Sequence, residues 1–142
     1  MADNLEHVLN EYVQAWAAHD VEKIVSFFAD DGVYEDVGVG VVNRGKAAIR
    51  AFVSEGFRTF PDFDVKLTGV FVAGQRAASE WIMTGTHLGD SPGLPATGKA
   101  ISIRGASMIE FAGDKIRRDS DYWDTASFLR QIGVLLRNTD TE

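Results

Sequence analysis

The sequence contains no cysteine, so it can form neither a disulfide nor a thiolate metal site, and it has no cysteine nucleophile. Its three histidines, His7, His19 and His87, lie far apart and show no metal-ligand spacing. It also lacks a GxxxxGK(S/T) phosphate loop, a dinucleotide fingerprint and an HExxH motif. We therefore expect no metal site.

Positive charge is also scarce, with 14 basic against 21 acidic residues and a net charge of −7. Such a chain cannot neutralise phosphates, which argues against nucleic acid or an anionic membrane as its partner. No apolar run is long enough to span a bilayer, and the N-terminal residues show no apolar core of the signal-peptide type. We expect a cytoplasmic protein that binds neither nucleic acid nor membrane.

Hydrophobic residues make up 45% of the 142 residues, enough for a core, and the nine phenylalanines, three tryptophans and three tyrosines could also line a cavity. Apolar periodicity predicts helices over 4–19, 21–32 and 46–60, and a short last helix from 125. Alternation predicts strands over 62–74 and 76–89 and a hairpin over 100–124. Helices followed by antiparallel strands indicate one α+β domain over 1–142, with a curved sheet around a pocket.

The segment "RRDSDYWDTASFLRQIG", residues 117–133, concentrates carboxylates beside two arginines and two aromatic residues. On a regular strand Asp119 and Asp121 share a face with Trp123. One interpretation pairs both acids with Arg117 and Arg118 at the surface. The other directs Asp121 into a pocket, where desolvation among aromatic rings makes a carboxylate a better proton acceptor near neutral pH.

The spacing alone leaves both interpretations of Asp121 open. We expect Asp119 to pair with an arginine, and Asp124 or Thr125 to cap the last helix. Ile116 and Asp121 are an odd number of residues apart, so both can face inward only if the strand carries a bulge or twist between them. On a regular strand, Asp121 would face the pocket while Ile116 contacts another layer.

Three further polar residues are candidates for the pocket. His87 shares a strand face with Trp81 and Met83, and is either a structural histidine or a residue of the pocket rim. The Tyr34 hydroxyl could enter the pocket as a hydrogen-bond donor. Asp36 is either a turn carboxylate or a second acid there.

The segments "GDKIRRDSDYWDTASFLRQIG" and "GTHLGDSPGLPATGKAISIRG" resemble the SnoaL-like polyketide cyclase family, within the superfamily of nuclear transport factor 2, ketosteroid isomerase and scytalone dehydratase. The resemblance implies a cone-shaped α+β barrel whose N-terminal helices pack on a strongly curved antiparallel sheet around an apolar pocket. It also implies aldol ring closure without a metal or cofactor. The family's general acid/base matches Asp121, and a family histidine is similar to His87. Ser107 stands where characterised cyclases have another histidine.

The resemblance implies that Asp121 abstracts a proton beside a carbonyl of a hydrophobic, polyketide-like compound, with His87 as a catalytic partner. The expected substrate-binding residues are Tyr34, Asp36, Trp16, Trp81, Met83, Ser107 and Trp123. Limonene epoxide hydrolases need an arginine and an aspartate where Trp81 and Met83 stand, which excludes that activity. By the same resemblance we expect a homodimer or a higher homo-oligomer. The alternatives are a non-catalytic module for ligand binding or dimerisation, and an isomerase or dehydratase with Tyr34 or Asp36 as a second acid.

Overall fold

The computed structural model describes residues 4–135, and its centre is one curved sheet of six strands with the helices packed against it. In chain order the elements are α1 (Leu5–Ala17), α2 (Val21–Ser26), β1 (Phe28–Asp36), β2 (Val41–Arg44), α3 (Lys46–Thr59), β3 (Asp64–Ala73), β4 (Arg76–Thr86), β5 (Ala100–Ala112), β6 (Lys115–Trp123) and α4 (Thr125–Gln131). The strand order is β2-β1-β6-β5-β4-β3. The predicted cone-shaped α+β architecture is confirmed, although β1 and β6 run parallel while the other neighbours are antiparallel.

Side-chain caps begin three of the helices. The carboxamide of Asn4 accepts from the His7 amide at the start of α1, and Asp20 accepts from the Lys23 amide at α2. Asp124 accepts from the Ala126 amide and so caps α4, as the sequence predicts. No helix within residues 4–135 is long and apolar enough to cross a membrane.

The second helix is shorter than predicted, because it ends at Ser26 instead of continuing to Gly32. Phe28 opens β1, lies opposite Ile116 of β6, and is only 1% exposed. The pairing of β1 with β6 is irregular between Phe28 and Val33, so this stretch lacks the alternation of a regular strand. Strand pairing and core burial therefore override a local pattern that reads as helix.

The last strand carries a bulge at Arg117, which is the arrangement that the sequence requires if Ile116 and Asp121 both face inward. Glu110 of β5 faces Arg118, whereas the next residue, Phe111, faces Ile116, which leaves Arg117 as the extra residue of β6. Ile116 is consequently fully buried in the core between helices and sheet. The residues after the bulge keep regular alternation, which turns Asp119, Asp121 and Trp123 to the same inner face.

Deleting Arg117 should remove the bulge and turn every later residue of β6 to the opposite face. Asp119 and Trp123 would then point outward and Tyr122 inward. We expect the deletion variant to lose its cooperative urea-unfolding transition, followed by circular dichroism.

The control is Arg117→Ala, which keeps the residue count and removes only the exposed ion pair with Glu110. Its free energy of unfolding should stay within about 1 kcal/mol of the wild type. A deletion variant with the wild-type midpoint would contradict the role of the bulge.

Candidate active site

Three neighbouring strands bring polar side chains together on the inner face of the sheet. Tyr34 and Asp36 of β1 lie opposite Asp119 and Asp121 of β6, respectively. Ser107 of β5 lies opposite Asp121 from the other side. Because the strands adjoin, residues 34, 107 and 121 meet although they are far apart in the sequence.

Asp121 is half-buried and accepts hydrogen bonds from two hydroxyl groups. The Tyr34 hydroxyl donates to Oδ2 at 2.7 Å, and the Ser107 hydroxyl donates to Oδ1 at 2.6 Å. Trp81 Nε1 donates to Ser107 Oγ at 2.8 Å. Since an indole N–H can only donate, it directs the Ser107 proton toward Asp121.

The arginines of the same segment pair elsewhere. Arg117 contacts Glu110 at 3.0 Å, and Arg118 contacts Glu35 at 2.7 Å. Within residues 4–135, no lysine, arginine or histidine forms an ion pair with either Asp119 or Asp121. The interpretation that Arg117 and Arg118 neutralise these two acids is therefore wrong.

Asp119 is the largest departure from the sequence prediction, because it is buried and not an arginine partner at the surface. It is 2% exposed, and its Oδ2 accepts from the Tyr12 hydroxyl of α1 at 2.7 Å. Its Oδ1 is buried without a hydrogen-bond partner among the described residues. Burial, reinforced by the nearby Asp121 carboxylate, raises the pKa of Asp119 well above its usual range. The alternation with Asp121 was the sequence signal for this position, but the nearby arginines suggested the wrong partner.

The side chain of Asp36 is held by a hydrogen bond from Trp123. Trp123 Nε1 donates to its Oδ1 at 2.7 Å, and the Val39 amide donates to the same oxygen at 3.1 Å. Burial raises the pKa of the Asp36 carboxyl, an effect that these donors partly offset. The Trp123 ring lies directly against Gly38, where a Cβ atom would overlap it. Glycine is therefore required there for the indole to reach Asp36.

Apolar side chains flank the carboxylates. Trp16 packs against Tyr34 with ring centroids 5.8 Å apart, and it also contacts Phe57 and Phe63. On the other side, Met83 and Trp123 pack against a second apolar cluster formed by Ile101, Ile103, Phe128 and Ile132. Trp16, Trp81 and Trp123 thus contact Tyr34, Ser107 and Asp36, respectively, whereas Met83 packs in the second cluster. That these four residues bind a substrate stays a prediction.

His87 does not join the Asp121 network. It is fully buried, and its Nδ1 lies 3.1 Å from Thr97 Oγ1 and accepts from the Thr97 amide at 3.3 Å. Its Nε2 lies 3.2 Å from Ser91 Oγ, and its ring packs between Phe60 and Phe128. Both ring nitrogens are therefore engaged in holding the loop after β4. This placement argues against the expected catalytic contact, so the structural alternative describes His87 better.

A groove of about 310 Å³ lies on the outer face of the sheet, and its lining does not include Asp36, Asp119 or Asp121. It is lined by Thr68, Glu80, Trp81, Arg104, Gly105, Ala106 and Tyr122. Within residues 4–135, no group of three or more histidine or acidic side chains is arranged to hold a metal ion.

Comparison with known proteins agrees with this fold. The SnoaL-like polyketide cyclase model matches residues 6–132. The cyclase aurE of Calcarisporium arbuscula is 32% identical over 108 residues, which cover 74% of this chain and 75% of that protein.

Two solved structures share the fold. TsrD from Streptomyces laurentii has a TM-score of 0.81 at 20% identity, covering 95% of this chain and 100% of its own. A protein with a ketosteroid isomerase-like fold from Catenulispora acidiphila, in complex with trimethylamine, has a TM-score of 0.80 at 21% identity, covering 94% of this chain and 95% of its own. The family match indicates a cyclase-type role, and the chain belongs to the SnoaL-like polyketide cyclase family.

Proposed function

We propose that the protein is a cofactor-independent enzyme that closes a ring in a hydrophobic, polyketide-like carbonyl compound, with Asp121 as general base and acid. The observation that carries this proposal is a half-buried carboxylate held by hydroxyl donors and flanked by aromatic rings. Such a group can accept a proton from bound substrate, because no cation within residues 4–135 pairs with it.

The reaction needs only one proton-transfer group. Asp121 takes the proton from a carbon beside a carbonyl, and the C–H electrons form an enolate. The enolate carbon bonds to a second carbonyl carbon of the same molecule, and the π electrons of that carbonyl move to its oxygen. The alkoxide takes the proton back from Asp121, which returns the carboxylate to its starting state. Proton transfer by one positioned side chain contributes roughly a hundred- to ten-thousand-fold.

Tyr34 is suited to hold the developing enolate oxygen. Burial, together with the negative charges of Asp121 and Asp119, raises the pKa of its phenol well above the usual value. Tyr34 therefore remains a proton donor throughout the neutral range. Once Asp121 has accepted a proton, the Tyr34 hydroxyl is free to turn from Oδ2 toward the substrate oxygen.

Replacing Asp121 with asparagine should abolish turnover while preserving the fold, because the amide cannot accept the substrate proton. The probe is a panel of aromatic 1,3-dicarbonyl compounds deuterated beside the carbonyl, with loss of deuterium followed by NMR. We expect the enzyme-dependent rate of Asp121→Asn to fall by roughly a hundred- to ten-thousand-fold.

The matched control is Asp124→Asn, which changes an exposed carboxylate in the same segment and keeps a capping side chain for α4. It should retain the wild-type rate. If the wild type and Asp121→Asn exchange deuterium from every compound at equal rates, Asp121 is not the base. If the wild type binds a compound without exchanging its deuterium, the non-catalytic alternative is favoured.

Tyr34→Phe tests the proposed oxyanion donor. The ring keeps its packing with Trp16 and Phe52, whereas the hydroxyl that donates to Asp121 is lost. We expect a rate reduction of about ten- to hundredfold and a loss of about 1 kcal/mol in the free energy of unfolding. Tyr122→Phe removes a hydroxyl from the outer face and serves as the control. Equal rates for both variants would exclude Tyr34 from the reaction.

The outer face of the sheet supports a homodimer as its proposed assembly. Ile82, Met108 and Tyr122 are exposed large side chains there, and Met108 is 53% exposed. They lie beside Glu80 and Arg104, so the face has both apolar and polar groups for a sheet-to-sheet contact. By sedimentation equilibrium we expect a dimer mass for the wild type and a monomer for Met108→Glu. Val39→Glu, at an exposed valine between β1 and β2, should remain dimeric, and a monomeric wild type would contradict the assembly.

A further inference from the structure

One buried carboxyl group, that of Asp119, has no role in the proposed reaction. Asp119 lies next to Asp121 on the inner face of β6, two residues away along the strand. It faces Tyr34 on β1 and Ile109 on β5, and Tyr12 covers it from α1. The other charged group near it is the Asp36 carboxyl of β1, and within residues 4–135 no cation pairs with it.

The two carboxyl oxygens of Asp119 differ in their hydrogen bonds. The Tyr12 hydroxyl uses its one hydrogen on Oδ2. Oδ1 is buried and accepts no hydrogen bond among the described residues. An ionised carboxylate would therefore leave a buried charged oxygen without a donor among the described side chains, which is costly. A carboxylic acid with its proton on Oδ1 turns that oxygen into a donor instead.

Asp121, two residues along the same inner face of β6, offers an acceptor for that proton. Burial, above all, and the charge of Asp121 raise the pKa of Asp119. The Tyr12 hydrogen bond acts in the opposite direction, because it stabilises the carboxylate, but it is outweighed. Burial also raises the pKa of Tyr12 well above its usual value, so its phenol remains a donor.

We propose that Asp119 is a neutral carboxylic acid at neutral pH and donates its proton to Asp121, so that the pair shares one proton and Asp119 positions the base. The carboxylate of Asp121 is then held by three donors, from Asp119, Ser107 and Tyr34. The pair carries one negative charge instead of two. Only the consequence for turnover rests on the proposed function, because the shared proton is a property of the free protein.

The shared proton can be tested without a substrate. In protein labelled with ¹³C at the aspartate carboxyl carbons, we expect one side-chain resonance to report a protonated acid at pH 7. That resonance should disappear in Asp119→Asn. The exposed Asp124 is an internal reference, because hydrogen bonds from Ser127 and the Ala126 amide lower its pKa.

Two variants should move the titration of Asp119 in opposite directions. Asp121→Asn removes the neighbouring negative charge, so the pKa of Asp119 should fall. Tyr12→Phe removes the donor that stabilises the carboxylate, so the pKa of Asp119 should rise. An Asp119 resonance that reports a carboxylate at pH 7, or shifts in the same direction in both variants, would overturn the shared proton.

The positioning role is read from turnover of the deuterated dicarbonyl panel against pH. Wild-type turnover should decline as pH rises through the pKa of Asp119, because the pair then carries two negative charges. Asp119→Asn should lose this decline, since its amide is a neutral donor at every pH. Asp119→Leu cannot donate, and its kcat should be at least tenfold below that of Asp119→Asn.

Two outcomes would overturn the positioning role. One is a pH profile for Asp119→Asn that matches the wild type, and the other is equal kcat for the asparagine and leucine variants. If the wild type and Asp121→Asn prove equally inactive, the proposed function fails. The carbon titration still decides whether the proton is shared.

Discussion

The arrangement of the inner face depends on one extra residue, the bulge at Arg117 of β6. Before it, Ile116 closes the core beneath α1 and α2. After it, Asp119 and Asp121 occupy the same side of the strand as Ile116. Without the extra residue, a strand with a side-chain period of two could not bury Ile116 and also turn these acids inward. The burial of Ile116 in the core and the inward direction of the two acids therefore depend on the same bulge.

Hydroxyl and indole groups, not cations, determine the electrostatics of the site. Tyr12, Tyr34 and Ser107 each direct a proton at a carboxyl oxygen, and Trp81 fixes the direction of the Ser107 donor. An arginine in contact would stabilise the charged form and weaken the base. Neutral donors orient Asp121 without cancelling its charge. The arginines of the segment pair with glutamates instead, which leaves Asp119 and Asp121 without a cationic partner within residues 4–135.

Much of this arrangement could be predicted from the sequence. The alternation after Arg117 placed Asp121 with Trp123, and the odd spacing from Ile116 required a bulge or twist if both residues faced inward. The predicted strand face of Trp81, Met83 and His87 is also correct, since all three are more buried than their even-numbered neighbours. Prediction failed for Asp119, where adjacent arginines suggested ion pairing, and for residues 27–32, where an apolar pattern resembled a helix. In both cases the deciding partner lies far away in the chain.

The sequence by itself determined the cap of the last helix, the strand alternation and the family, because each follows from neighbouring residues or a linear motif. Only the tertiary structure decided the partners and the burial of each side chain. Tyr12 meets Asp119 across 107 residues, and Tyr34 meets Asp121 across 87. His87 is held between a loop and two phenylalanines. Hydrogen bonding and desolvation depend on distance in space. A local sequence pattern therefore cannot show which hydroxyl group, distant in the chain, donates to a given carboxylate.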